Sequence, residues 1–395
     1  MWSWDGRVLD AQRALGSQTE QVSVVASASD LRRVCRIAAE KIQCLSPSKG
    51  ASRLQLDRHM RTERQRNQEW LKILRSARNR LERDSDNASR RRNTVNRGKV
   101  SCVYGALQKI LWNAQFSRVD VNLVLNEFCE ALSESTFDDG EQHDAQEFLS
   151  ALLDALHEEL NQIVQRQPPQ SPYLARSIVE GAEVEWENAR QFGWSVIYFL
   201  FQGQMLSVQQ CAVCQTESNK FDNFTQITLE LPTKQWCSLE DCVIAHLRKE
   251  HIPEWRCPEC YKLRNATKTM YFWQLPNVLI VHLKRFVHHN GRFVKKDTNI
   301  TFPDYFDMRQ FVHELSPYKP RPYTLFAMTN HQGSLRRGHY TALCRHPSNG
   351  CWYEFDDETT TVRNYSDQID RAISKAAYIL YYTAHNWFPS AKSPN

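Results

Sequence analysis

Two groups of residues in this chain could do chemistry. Arg337-Gly338-His339-Tyr340-Thr341-Ala342 places a histidine in a strand-like run, and Trp352-Tyr353-Glu354-Phe355-Asp356-Asp357 begins thirteen residues beyond it. Two successive antiparallel strands can set His339 and Asp356 side by side. An aspartate that accepts the proton of one imidazole nitrogen leaves the other facing a nucleophile. The second group is Cys211-Ala-Val-Cys214 and Cys257-Pro-Glu-Cys260, with forty-two residues between them. Each Cys-x-x-Cys turn brings two thiolates to one ion, and two turns complete the tetrahedral shell that structural zinc prefers. With every position held by protein there is no open site for a substrate. Zinc here would staple two hairpins, and the long gap implies an extended ribbon carrying an insertion.

The elements that must position these residues change character along the chain. Val100–Asn113, Val119–Glu134 and Asp144–Gln165 read as helices, and Gln167-Pro168-Pro169-Gln170-Ser171-Pro172 then breaks the chain. Short alternating runs follow at Lys220–Leu231, Val278–Phe286, Tyr323–Met328, Tyr340–Arg345, Trp352–Phe355 and Ala377–Tyr382. Helices first and strands later predict an α+β fold. Residues 1–92 read as a basic helical extension, 93–384 as the main domain and 385–395 as a tail. Within the extension Trp70, Leu74, Ala77 and Leu81 form a narrow apolar stripe on a charged helix, which would pack on its own domain or on a partner of unknown identity.

With 395 residues, 41% hydrophobic and 24% charged, the chain can bury a sizeable core. The densest apolar run, Trp194–Phe201, is too short to cross a membrane, and the N-terminus has no apolar secretory segment. Twelve cysteines, four of them in two Cys-x-x-Cys pairs, suit a reducing compartment. The expectation is a soluble protein of the cytoplasm or nucleus. The net charge of +5 conceals a local +9 between Ala51 and Lys99, densest at Arg90-Arg91-Arg92, so the remainder carries −4. A nucleic-acid partner is not expected, because no aromatic-interleaved basic groove accompanies the arginines.

Several separate blocks resemble the ubiquitin-specific proteases, papain-like cysteine proteases that remove ubiquitin. Glu141-Gln142-His143-Asp144-Ala145-Gln146-Glu147-Phe148-Leu149 is similar to the family's QQDAxEF box, and Leu200-Phe201-Gln202-Gly203-Gln204 to its LFxG segment. Leu275-Pro276-Asn277-Val278-Leu279-Ile280-Val281-His282-Leu283-Lys284-Arg285-Phe286 is similar to its LPxVLxxHLKRF strand, and the histidine and aspartate boxes follow in the family's order. The resemblance covers residues 93–384. It implies a papain-like cysteine protease fold with a helical thumb, a β-rich palm and zinc-ribbon fingers over about residues 205–270. By the same resemblance His339 would be the base, with Asp356 and the adjacent Asp357 in the catalytic set. Asp144 and Gln142 would lie against the ubiquitin tail, whose arginines suit an acidic neighbour. The implied partners are ubiquitin and ubiquitinated proteins.

The nucleophile box is degenerate. Asn96-Arg97-Gly98-Lys99-Val100-Ser101-Cys102-Val103-Tyr104-Gly105-Ala106-Leu107-Gln108 aligns with the family's N-x-G-N-T-C-[YF]-M-N-[SA]-x-L-Q at Asn96, Gly98, Leu107 and Gln108. Without a gap the nucleophile position falls on Ser101, not on Cys102. A thiol can be drawn to thiolate at a helix N-terminus, whereas a serine hydroxyl cannot be ionised that way. Cys102 lies about 100° further round a helix and needs a one-residue shift of the helix start to replace Ser101. Asn96 would supply the oxyanion donor in either register. The expectation is a thiol-dependent deubiquitinase, with an inactive ubiquitin-binding homologue as the alternative if Ser101 holds the position.

Overall fold

The computed structural model describes residues 100–101, 104, 137, 142–163, 169, 177–289, 292–319, 322–334, 337–347, 350–357, 359–363 and 373–384. Asn96, Cys102, the basic extension, the expected helix over 119–134 and the 385–395 tail lie outside the described residues. Of the helix expected over 100–113, Val100, Ser101 and Tyr104 are described, and all three are helical.

The first long helix, α1 (Ala145–Leu160), is shorter at both ends than the sequence suggests. Asp144 is extended and its Oδ1 accepts from the Gln146 N–H at 2.7 Å, so it is the N-cap rather than the first helical residue. At the other end the Asn161 side chain accepts from the backbone N–H groups of Ile163 and Trp194, turning the chain away. Two helices missing from the sequence reading follow: α2 (Ile178–Phe192) and α3 (Val196–Phe201), capped by the side chains of Ser177 and Ser195. The dense apolar run is therefore mostly α3, buried at Val196, Ile197 and Leu200.

Next come β1 (Gly203–Cys211), β2 (Glu217–Phe224), β3 (Ile227–Glu230), β4 (Trp236–Ser238), α4 (Leu239–Leu247), β5 (Glu250–Arg256) and β6 (Leu263–Gln274). The expected strand over 220–231 is thus two strands in two different sheets. The antiparallel order β2-β1-β6-β5 makes the fingers, with one cysteine knuckle between β1 and β2 and the other between β5 and β6. The later strands are β7 (Val278–Lys284), β8 (Phe286–His289), β9 (Arg292–Lys295), β10 (Asn299–Thr301), β11 (Tyr305–Phe306), β12 (Tyr323–Gly333), β13 (Gly338–Arg345), β14 (Trp352–Asp356), β15 (Thr359–Arg363), β16 (Ile373–Ser374) and β17 (Ala377–Thr383). The palm sheet runs β15-β14-β13-β12-β17-β7-β3 with β11 added to β12. Only its β3–β7 pair is parallel.

β7 is buried from Val278 to Leu283, which is why it reads as an unbroken apolar run. Its alternate residues serve two cores. Ile280, with Tyr378 and Ile379 of β17, packs on Leu153 and Leu156 of α1, Val196 and Leu200 of α3, and Val100. Leu279, Val281 and Leu283 face the other way, onto Leu239, Val243, Phe306 and Met308. Each such side chain stabilises the fold by about 1.5–3 kcal/mol. The thumb helices are therefore seated on the sheet that carries the histidine. Two family-like blocks acquire structural reasons as well. A Cβ on Gly203 would meet the Phe224 ring at 2.4 Å, and Asn277 donates to the Phe199 carbonyl at 2.8 Å.

Candidate active site and metal centre

His339 lies at the start of β13 and Asp356 at the end of β14. The β13–β14 register pairs Ala342 with Phe355. Continued to the strand ends it sets Thr341 opposite Asp356, so the histidine is a diagonal neighbour of the aspartate on the same face. The side chains close that diagonal, with His339 Nε2 2.6 Å from Asp356 Oδ1. Both are open to solvent, at 40% and 53% of their side-chain surface. When Nε2–H is given to Asp356, Nδ1 carries the lone pair and is the nitrogen able to take a proton. Asp357 takes a left-handed backbone at φ 46°. That turn brings its carboxylate into one cluster with His339 and Asp356, with one ligand atom from each residue within 4.8 Å of the others.

The histidine hairpin is fixed to the thumb by the residues expected to touch substrate. The Gly338 N–H donates to Gln142 Oε1 at 3.2 Å. Asp144 uses one carboxylate oxygen to cap α1, and the other accepts from the Tyr378 hydroxyl. The Ala145 N–H donates to the Tyr340 hydroxyl at 3.4 Å. Burial, reinforced by the Asp144 charge, pushes both tyrosines far above their ordinary range. Burial also drives His282, which meets the Tyr378 ring edge-on, down to about 4, although Asp144 opposes this. Gln142 and Asp144 therefore dock the helix onto the palm. Tyr340, Tyr378 and His331 form the aromatic bed beneath them. Single aromatic residues in alternating strands gave no sign of that role.

Ser101 stands at the start of a helix. Its N–H and that of Val100 donate to the Glu159 carboxylate, at 2.7 and 3.0 Å. An acidic cap at a helix start satisfies orphan donors and suits the dipole. Glu159 stands in the last turn of α1, whereas Gln142 and the histidine hairpin meet at its first. The structure brings the histidine and the two aspartates together; no hydrogen bond joins Ser101 to His339 among the described residues, and Cys102 lies outside them. Glu159 was not legible as a functional neighbour, because one more glutamate in an acidic helix end carries no signal.

The four cysteines converge. Cys211 closes β1, Cys257 follows β5, and Cys214 and Cys260 lie in the two knuckle turns, with all four sulfurs within 4.8 Å of one another. Four sulfurs about 2.3 Å from a central ion stand roughly 3.8 Å apart, which this spacing fits. The Cys260 N–H donates to Cys257 Sγ at 3.3 Å. Hydrogen bonds to Thr216 lower the Cys214 thiol, whereas the bond with Cys214 raises its neighbour Cys260. The cluster can hold a metal ion.

A helical thumb on a mixed sheet, a histidine–aspartate pair at the ends of β13 and β14 and a cysteine-knuckled ribbon are the parts of a papain-like fold. A family model described as ubiquitin carboxyl-terminal hydrolase matches residues 42–382. The chain belongs to that family. Over 283 residues it is 31% identical to ubiquitin carboxyl-terminal hydrolase 4 of Eremothecium gossypii, covering 63% of this chain and 31% of the relative. It is 32% identical over 254 residues to Usp2 of Drosophila melanogaster, covering 62% of this chain and 26% of that one. The chain thus spans about a third of the length of the curated relatives it matches. Among solved structures, the SAGA Ubp8 DUB module bound to ubiquitin aldehyde superposes with a TM-score of 0.55 at 22% identity, over 78% of this chain and 64% of that one. That likeness is one of fold. No helix among the described residues is long and apolar enough to cross a membrane.

Proposed function

We propose that the chain is a thiol-dependent deubiquitinase that hydrolyses the peptide or isopeptide bond after the C-terminal glycine of ubiquitin. The 2.6 Å His339–Asp356 pair, in a chain of this family, carries the reading. His339 Nδ1 takes the thiol proton of Cys102, and the thiolate attacks the glycine carbonyl. The oxyanion develops toward Asn96. Collapse expels the amine, which takes the proton back from His339, and leaves a thioester on the enzyme. A water deprotonated by His339 then releases the ubiquitin carboxylate and restores the thiol. Asp356 keeps the ring in the required tautomer, and Asp357 adds charge beside the imidazolium. Gln142 and Asp144 face the ubiquitin tail with whatever hydrogen-bonding capacity docking α1 leaves them. Cys211, Cys214, Cys257 and Cys260 hold a structural zinc ion, which crosslinks the fingers that grip the body of ubiquitin and ubiquitinated proteins. The cysteine usage, two Cys-x-x-Cys pairs among twelve cysteines, supports an intracellular location.

The second reading, an inactive ubiquitin-binding homologue, rests on Ser101 at the gap-free nucleophile position. One gel separates the two. A ubiquitin derivative with a C-terminal electrophile should label the wild type, and Cys102→Ala should abolish labelling while Ser101→Ala keeps it. An unlabelled wild type that Ser101→Cys makes reactive would establish the inactive homologue instead.

A further inference from the structure

Beyond Asn330, which pairs with Ala377, β12 has no neighbouring strand on its β17 side among the described residues. The last ladder contact there is the His331 N–H donating to the Ala376 carbonyl at 2.7 Å. The carbonyls of His331 and Gly333, two residues apart, point out of this bare edge. One side chain takes both: Lys295 Nζ, at the end of β9, donates to the His331 carbonyl at 2.9 Å and the Gly333 carbonyl at 3.2 Å. An ammonium thus stands where the next strand of the sheet would be.

The hairpin so held is the one that aims His339. Gly333 pairs with Gly338 and Gln332 with His339, and the Ser334 N–H closes the turn on the Arg337 carbonyl at 3.1 Å. Lys295 holds the carbonyl strand of the tip, and Gln142 holds the Gly338 N–H of the other strand. The anchor behind Lys295 is rigid. The neighbouring Lys296 N–H donates to the Arg285 carbonyl at 2.7 Å, and its Nζ donates to the Leu231 carbonyl at 2.6 Å. Arg285 itself is fully buried and donates to the carbonyls of Ala377, Lys296, Thr298 and Ser374.

We propose that Lys295 is a positioning residue for His339, tethering the β12–β13 tip to the buried arginine core so that the imidazole meets Asp356 and the nucleophile in register. This rests on the hydrolase reading above. Its effect belongs in turnover more than in binding, because a catalytic group displaced by about 1 Å can cost about 100-fold in rate while distant substrate contacts persist.

The test compares wild type, Lys295→Met and Lys295→Arg in steady-state hydrolysis of a ubiquitin C-terminal fluorogenic amide, in hydrogen exchange over residues 331–343, and in melting temperature. Lys295→Met should lower kcat at least tenfold with KM within twofold, and speed exchange of the hairpin while distant β7 stays protected. Lys295→Arg, which keeps the charge and the donors, should recover most of both. Unchanged exchange in Lys295→Met overturns the tether. Faster exchange with kcat intact overturns the positioning role. A fall in kcat that tracks a general loss of melting temperature and that arginine does not restore overturns it too. Failure of the hydrolase reading looks different: the wild type itself would not turn over, whatever the hairpin exchange showed.

Discussion

At the scale of single residues, the site depends on side chains that fill or leave small spaces. Gly338 precedes the histidine, and a Cβ there would come within 2.1 Å of His331 Nε2, itself buried against Tyr340 and Phe286. No real contact is that short, so either the imidazole beneath or the hairpin above must move. Gly338→Ala should therefore lower kcat about 100-fold with a small change in KM, and cost about 1–3 kcal/mol of stability. Steady-state kinetics beside a urea titration checks both, and a kcat within twofold of wild type would show that the hairpin absorbs the methyl group. Asp144 makes a similar point about expectation and structure. Its acidity suggested a contact to a basic peptide, and the structure finds it capping α1 and accepting from Tyr378. A carboxylate at the start of a helix has structural work available before any substrate arrives.

At the scale of elements, the cysteine ribbon follows from its spacing, and the β1–β2 and β5–β6 turns bring four sulfurs to one point. Cys211 and Cys257 are fully buried there. Cys257→Ser should remove about one equivalent of zinc and lower the melting temperature by about 5 °C or more before any chemistry is altered. Metal analysis of the purified wild type decides the matter, and a zinc-free protein would refute it. Strands carrying a strict apolar pattern, such as β7, β12 and β17, were legible because burial on one or both faces is written in every residue. Of the finger strands only β2 was read, and only from Lys220 on: β2 is exposed at most positions and β5 at all but two, so neither shows clean alternation. The β8–β9 hairpin, which carries Lys295, has the same difficulty, since a lysine's carbonyl partners leave no trace in sequence. His339 and Asp356 were legible as a pair, but their offset was not. The diagonal follows from where the β13–β14 register begins, and that is set by the loop between the strands.

At the scale of the whole molecule, imidazoles are buried both within the sheet and within the helical thumb. Burial pushes His282 down to about 4 against the opposing pull of Asp144, and does the same to His331, helped by the Lys295 charge. Among the described residues His282 Nε2 and His331 Nδ1 have no hydrogen-bond partner, so a proton gained at either nitrogen would be unsatisfied. His157, buried against Tyr198, is lowered by burial in the same sense. These groups are neutral in both states above their ordinary value of about 6.5, and below it the unfolded chain takes up protons that the native state refuses. Stability is therefore full above about pH 6.5 and is lost as pH falls toward 4, at up to about 1.4 kcal/mol per pH unit for each such histidine. Asp154, raised by burial and by Glu158, works in the opposite sense just above the ordinary carboxylate value and offsets part of the loss. Urea midpoints at pH 7, 6, 5 and 4.5 should fall steadily, and His282→Gln, whatever its own cost at pH 7, should show a shallower slope. A midpoint unchanged from pH 7 to 5 would mean that the imidazoles reach solvent and that the packing around them is looser than the structure indicates.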